Sequence, residues 1–228
     1  MKTDDWCRSD EWTTEAQQEF HSKLKRSRTA FHKAQYCHLK AGALWRSKQP
    51  DKVRAAIGLS DMMLANWPDD SRIHHVYDLR AKCQERLGDI AGAVQDYLRC
   101  IELMRVRPKG FDITAPLDFG WLCITHRIED QYLAAIECAR ECAFIFAEHQ
   151  FMRSTIISII SHRLGLDARE AQEHAKRALE AANETRSEFR NHPGIGLVRD
   201  ADEGIVLELR QIAERTASMP GRSPSIIR

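Results

Sequence analysis

Residues 74–110, HHVYDLRAKCQERLGDIAGAVQDYLRCIELMRVRPKG, decide the fold. The stretch reads as a helix, a tight Gly88-Asp89 turn, a second helix and a proline stop at Pro108. Glycine fits the left-handed position that ends a helix at low steric cost, and Gly88 stands where such an ending is needed. The two helices read as one unit of a helical repeat. Neither buries its apolar face alone, so further pairs are expected on both sides.

Working outward, the helical pattern continues in each direction. Thr14 and Gln17 have capping-box spacing at the start of a helix. From there to about residue 47 no proline occurs, and Phe20, Leu24, Phe31, Leu39 and Leu44 recur at near-helical intervals. One helix of over 30 residues, or two with a bend near 27–29, satisfies the pattern. Gln49-Pro50-Asp51 interrupts it, and 52–66 forms the next helix up to Trp67-Pro68. Residues 106–116, with Pro108, Gly110 and Pro116, read as a longer connector. Helices are then expected over 117–127, 130–149, 153–164, 167–186 and 200–217. Residues 1–13 are expected to be loosely ordered, 14–217 to form a single domain, and 218–228 to be a mobile tail.

Bulk properties narrow the class. The 228 residues are 43% hydrophobic and 29% charged, in the range of a soluble globular protein. With 34 basic and 33 acidic residues the net charge is +1, which gives no global field toward nucleic acid or membrane. No apolar run approaches the length of a membrane span. The polar opening MKTDDWCRSDEW lacks a signal-peptide core, so the seven cysteines are expected as reduced thiols in the cytoplasm.

The pattern resembles the tetratricopeptide repeat family, whose unit of about 34 residues is two antiparallel helices. In the best unit Tyr77 matches the large first-helix residue and Ala81 the small crossing position. Gly88 and Asp89 match the turn, and Ala93, Tyr97, Cys100 and Ile101 match the second-helix packing positions. Arg80 and Gln84 depart from it, standing where hydrophobes are usual. Further units begin near 37, 116 and 152, spaced 37, 42 and 36 residues with the start at 74. The resemblance covers about 37–186 and implies an all-α, right-handed α-solenoid of about four helix pairs with capping helices.

It also implies a function, that of a non-catalytic adaptor, regulator or assembly factor. Family members hold a peptide or protein on a concave wall made by the first helices. Matched residue by residue, that wall gathers Trp45, Lys48, Lys82, Arg86, Arg127, Arg153 and Arg163 into a basic groove fit for an acidic partner. No asparagine accompanies the lysines at the matching positions. The same wall carries Leu117, Ile124, Ile156 and Ile160, an apolar patch that needs a cover. The cover is expected to be Ile195, Gly196, Leu197 and Val198 folding back with the last helix. A homodimer contact is the competing cover.

Other chemistry is thinner. Cys123 and His126, and Cys138 and Cys142, lie three and four apart on their helices, a spacing that puts ligands on one face. Yet Cys100, Cys123 and Cys142 fall where the repeat wants a small residue, and a reduced cysteine packs as one. No metal and no cofactor is expected. His74-His75 has no nucleophile partner nearby in sequence, and no catalytic or nucleotide fingerprint is present. The run Lys23, Lys25, Arg26, Arg28 spreads around a helix as a solvated face rather than a nucleic-acid reader. Two alternatives stay open: a small-peptide or metabolite sensor using the same groove, and a metal-dependent or hydrolytic enzyme in a helical fold.

Overall fold

The computed structural model describes residues 5–68, 70–106, 113–142, 146–187, 192 and 194–215. Among the described residues the fold is all-α, with eleven α-helices, one 3-10 turn at Glu129–Gln131 and no strand. The helices are α1 (Asp5–Arg8), α2 (Thr14–Arg26), α3 (Ala30–Arg46), α4 (Pro50–Asn66), α5 (Ile73–Leu87) and α6 (Ile90–Arg105). They continue as α7 (Ala115–His126), α8 (Tyr132–Glu141), α9 (Ala147–Arg163), α10 (Ala168–Ala182) and α11 (Glu203–Glu214). No described helix is long and apolar enough to cross a membrane. The chain divides into two compact units, Met1–Ala115 and Pro116–Arg228.

In the first unit α3 packs on α4, α4 on α5 and α5 on α6, with α1 and α2 against α3. The bend at 27–29 is real and separates two helices. Thr29 caps α3 by accepting from the His32 amide at 3.2 Å. At the start of α2 the capping residue is Thr13, one before the expected Thr14, accepting from the Ala16 amide at 3.2 Å. Gly88 adopts φ 84°, the left-handed ending its sequence position requires, and Asp89 then caps α6 through the Gly92 amide at 3.0 Å. The core joins Phe20 and Leu24 of α2 to Cys37 and Leu44 of α3, Val53 and Met63 of α4, and Val76 of α5. Tyr97, buried on α6, hands its hydroxyl to Glu85 at 3.3 Å.

The N-terminal segment, expected to be loosely ordered, is tied down from Asp5 onward. Cys7 is wholly buried, and the Trp6 ring packs, tilted, 4.9 Å from Tyr36 and 5.4 Å from Phe20. Lys40, 2% exposed, donates to the carbonyls of Trp6, Ser9 and Glu11 at 3.4, 2.8 and 2.9 Å. A buried ammonium needs such acceptors, and the carbonyls left over past a four-residue helix supply them.

In the second unit α9 is the central helix, contacted by α8, α10 and α11. Every residue from 154 to 161 is buried, as befits a helix covered on all sides. Its serines allow close approach: Ser158 is buried and donates to the Ala171 carbonyl of α10 at 2.8 Å. The helix expected over 130–149 is broken. α8 ends at Glu141, Cys142 and Phe146 are both extended, and α9 starts at Ala147. A long-range cap serves the end of α8 at this break. Arg153 donates to the carbonyls of Ala139 and Arg140 at 3.0 and 3.5 Å, satisfying the end of α8 from the next helix. The expected Pro108 stop and the tail from 218 lie outside the described residues.

Candidate functional site

The residues singled out for a groove fall into two sets, one in each unit. In the first unit, α3 and α5 touch along matching positions. The Arg72 guanidinium lies 4.5 Å over the Phe31 ring, the His38 and His75 rings are 6.1 Å apart, and Arg86 lies 4.8 Å over the Trp45 ring. Positions 31, 38 and 45 thus meet 72, 75 and 86 in ascending order, so the two helices run parallel.

Trp45 and Arg86 are brought together at the ends of these helices. Arg86 Nη1 donates to the Trp45 carbonyl at 2.6 Å, and the Lys48 backbone amide donates to the same oxygen at 3.2 Å. The indole is half-buried with its Nε1 out of solvent and lacking a hydrogen-bond partner. Lys48 is exposed and held at φ 63°. Lys82, one turn before Arg86, is half-buried and paired with Asp78 at 3.0 Å. Lys48 and Arg86 are both exposed here, and Arg86 lies over the indole.

The second unit treats its three arginines differently. Arg127 is exposed at φ 54°, in the turn after α7. Arg153 is the cap on α8 described above. Arg163 makes a two-pronged pair with Glu208 of α11, at 3.1 and 2.9 Å, and its Nη1 donates to the Ile124 carbonyl and the Tyr132 hydroxyl at 2.8 and 2.9 Å. Arg153 and Arg163 thus stitch the fold together, and Arg127 alone of the three is exposed.

The apolar patch is resolved inside the same unit. Leu117, Ile124, Ile156 and Ile160 are all buried at 2% exposure or less. Gly120 of α7 sits so close to Ile156 that a methyl group there would come within 2.7 Å of its Cδ1, and Trp121 meets Phe151 at 5.9 Å. α7 is thus part of the cover. The 195–198 link was expected to lie over Ile156 and Ile160. It lies elsewhere, at the start of α9: the Glu148 amide donates to the Gly196 carbonyl at 2.9 Å and Gly196 abuts Phe146, while Ile195 is 48% exposed. α11 does dock on α9 and α10, burying Leu209 and Ile212.

All seven cysteines are buried free thiols, and burial pushes Cys37, Cys83 and Cys123 up to about 12. At neutral pH such thiols are protonated and act as packing. Among the described residues no group of three or more His, Cys, Asp or Glu is arranged to hold a metal ion. Of the basic run on α2, Lys23 pairs with Glu19 at 2.6 Å and lies 5.4 Å from the Trp6 ring centroid.

Two polar networks lie outside the residues singled out for the groove. Arg80 lies between Asp96, at 2.6 and 2.7 Å, and Asp61, at 2.5 Å, linking α4, α5 and α6. These partners hold its guanidinium above its ordinary value, the Asp96 hydrogen bonds most of all. Lys40 anchors the N-terminal segment. The available signal in each was a charge standing on an apolar stripe: Arg80 at a repeat position for a hydrophobe, Lys40 between Cys37 and Leu44. Comparison with models of protein families, with curated proteins and with solved structures finds no match to this chain.

Proposed function

We propose that this chain is a non-catalytic interaction module, an α-solenoid of tetratricopeptide-like helix pairs that holds a protein or peptide. Support for the pairing comes from inside each unit. Successive helices pack in turn from α3 to α6 and from α8 to α11, and the first helices α3 and α5 run parallel, as stacked pairs require. Seven buried free thiols suit a reducing, cytoplasmic setting.

One observation carries the reading: the Trp45 ring lies under Arg86, beside exposed Lys48, at the end of the α3–α5 contact. Aromatic and arginine anchors with a local positive charge fit a segment bearing carboxylates. The docking surface is therefore placed on the first unit, on Trp45, Lys48 and Arg86, with Lys82 held in reserve by Asp78. In the second unit Arg127 remains a candidate, whereas Arg153 and Arg163 serve the fold. The test is capture of acidic peptides from a random library by the immobilised chain. Arg86→Glu with Lys48→Glu should weaken binding by about tenfold or more, the effect of one or two charged contacts. Undiminished binding would place the partner elsewhere.

A further inference from the structure

Three imidazoles meet where α3 and α5 pack. The His74 and His75 rings, at the start of α5, have centroids 4.0 Å apart, and His38 of α3 lies 6.1 Å from His75. His74 is 1% exposed, and His38 keeps its Nδ1 out of solvent without a hydrogen-bond partner. Beyond burial, the strongest influences on His38 are His75, Arg72, Asp70 and His74. Three of these oppose a positive charge. The one carboxylate, Asp70, is already occupied: Arg72 reaches it through its amide, Nε and Nη2 at 2.9, 2.7 and 2.7 Å. One turn further along α5, Asp78 and Lys82 pair with each other, and Asp61 of α4 is held by Arg80. Among the described residues, a proton arriving at His38 therefore meets Arg72 and two further imidazoles, while the carboxylate that most favours it, Asp70, is held by Arg72.

We propose that this cluster is an acid-sensitive latch: protonation of His38 parts α3 from α5 and thereby dismantles the docking surface at Trp45 and Arg86. The docking half of this inference rests on the function proposed above; the parting of the helices stands without it. Burial, then His75, pushes His38 down to about 4 in the closed state. Its value in an opened helix pair is about 6.5. A group depressed in the closed state supports closure above the open value and withdraws that support as pH falls toward the closed value. Linkage across that gap raises the opening constant on the order of twentyfold between pH 7 and pH 5. The latch would thus work across the range in which acidified compartments and stressed cells fall.

Hydrogen exchange of the full chain at pH 7 and pH 5, corrected for the intrinsic exchange rate, tests it. Amides of α3 and α5 should show the rise, with those of α9 and α10 unchanged, and His38→Gln should flatten it. A rise that is absent, equal in all helices, or undiminished in His38→Gln would overturn the latch. If that variant does not fold, the His38 ring resonance of the wild-type chain decides: titration near 6.5 overturns the inference, and titration well below it supports it. Acidic-peptide capture at both pH values separates the two claims. Capture at pH 7 that fades at pH 5 supports both. No capture at either pH, with exchange behaving as described, removes the docking surface and keeps the latch.

Discussion

Replacing Arg80 by methionine tests whether a charge at a core position of α5 is structural. The guanidinium grips Asp96, whose side chain is 7% exposed, and Asp61, whose side chain is 54% exposed. These two partners weigh unequally. An exposed pair such as Arg80–Asp61 contributes ~0–1 kcal/mol. The buried partner dominates, because Arg80→Met leaves the Asp96 carboxylate desolvated and unpaired, a loss of ~3–5 kcal/mol. The 20% exposure of Arg80 lets water reach the vacated space, so the lower end, ~3 kcal/mol, is expected. Urea unfolding followed by tryptophan fluorescence is the assay. Trp6, Trp12, Trp45 and Trp67 lie in the first unit and only Trp121 in the second, so the signal reports mainly on the unit that is perturbed. With a urea slope of ~1.5–2 kcal/mol/M the midpoint should fall by ~1.5–2 M. The double variant Arg80→Met, Asp96→Leu removes both charges and should recover most of that loss, since an apolar pair of similar volume is close to neutral. A single variant costing under ~1 kcal/mol, or a double variant no better than the single, would refute the reasoning.

Three further perturbations bear on the other polar residues. Arg163→Met removes the grip on Glu208 and two further bonds, so α11 should lose hydrogen-exchange protection by ~2 kcal/mol; unchanged protection there would show that the apolar contacts of Leu209 and Ile212 suffice. Lys40→Met strips the N-terminal segment of three acceptor contacts, and labelling of buried Cys7 by a thiol reagent should quicken by about tenfold or more; an unaltered rate would locate the anchor in Trp6 instead. Lys48 and Arg127 hold positive φ, so Lys48→Gly and Arg127→Gly should each raise the melting temperature, by up to ~1 kcal/mol of stability; a fall in either would mean that the side chain contributes more than its backbone strain costs.

The helices themselves were open to sequence reasoning, because their signals are local. Gly88 and Asp89, Pro50, and the Asp167 cap on α10, which accepts from the amides of Arg169 and Glu170, are each decided within four residues. The break between α8 and α9 was not legible, since no glycine or proline marks it. Its cap comes from Arg153, and only packing reveals which carbonyls a distant guanidinium reaches. The order of the N-terminal segment was hidden for the same reason, as Lys40 lies 29 to 34 residues from the carbonyls it holds.

The fate of the basic residues follows from the same distinction. A helical register says which side of a helix an arginine occupies, and it placed seven aromatic or cationic residues on one wall. It is silent on whether a carboxylate or an orphan carbonyl lies within reach. Lys82 finds Asp78, Arg163 finds Glu208, and Arg153 finds the end of α8. A guanidinium whose donors are already satisfied must break those bonds before it can greet a ligand, and a charge-assisted bond is worth ~1.5–3 kcal/mol. Reversing such a residue would disturb the fold and binding together. Lys48 and Arg86 are exposed, and the bond Arg86 makes is to a terminal carbonyl that the Lys48 amide also serves. Charge reversal at these two perturbs recognition with the least disturbance of packing, which makes them the residues on which the docking surface should be judged.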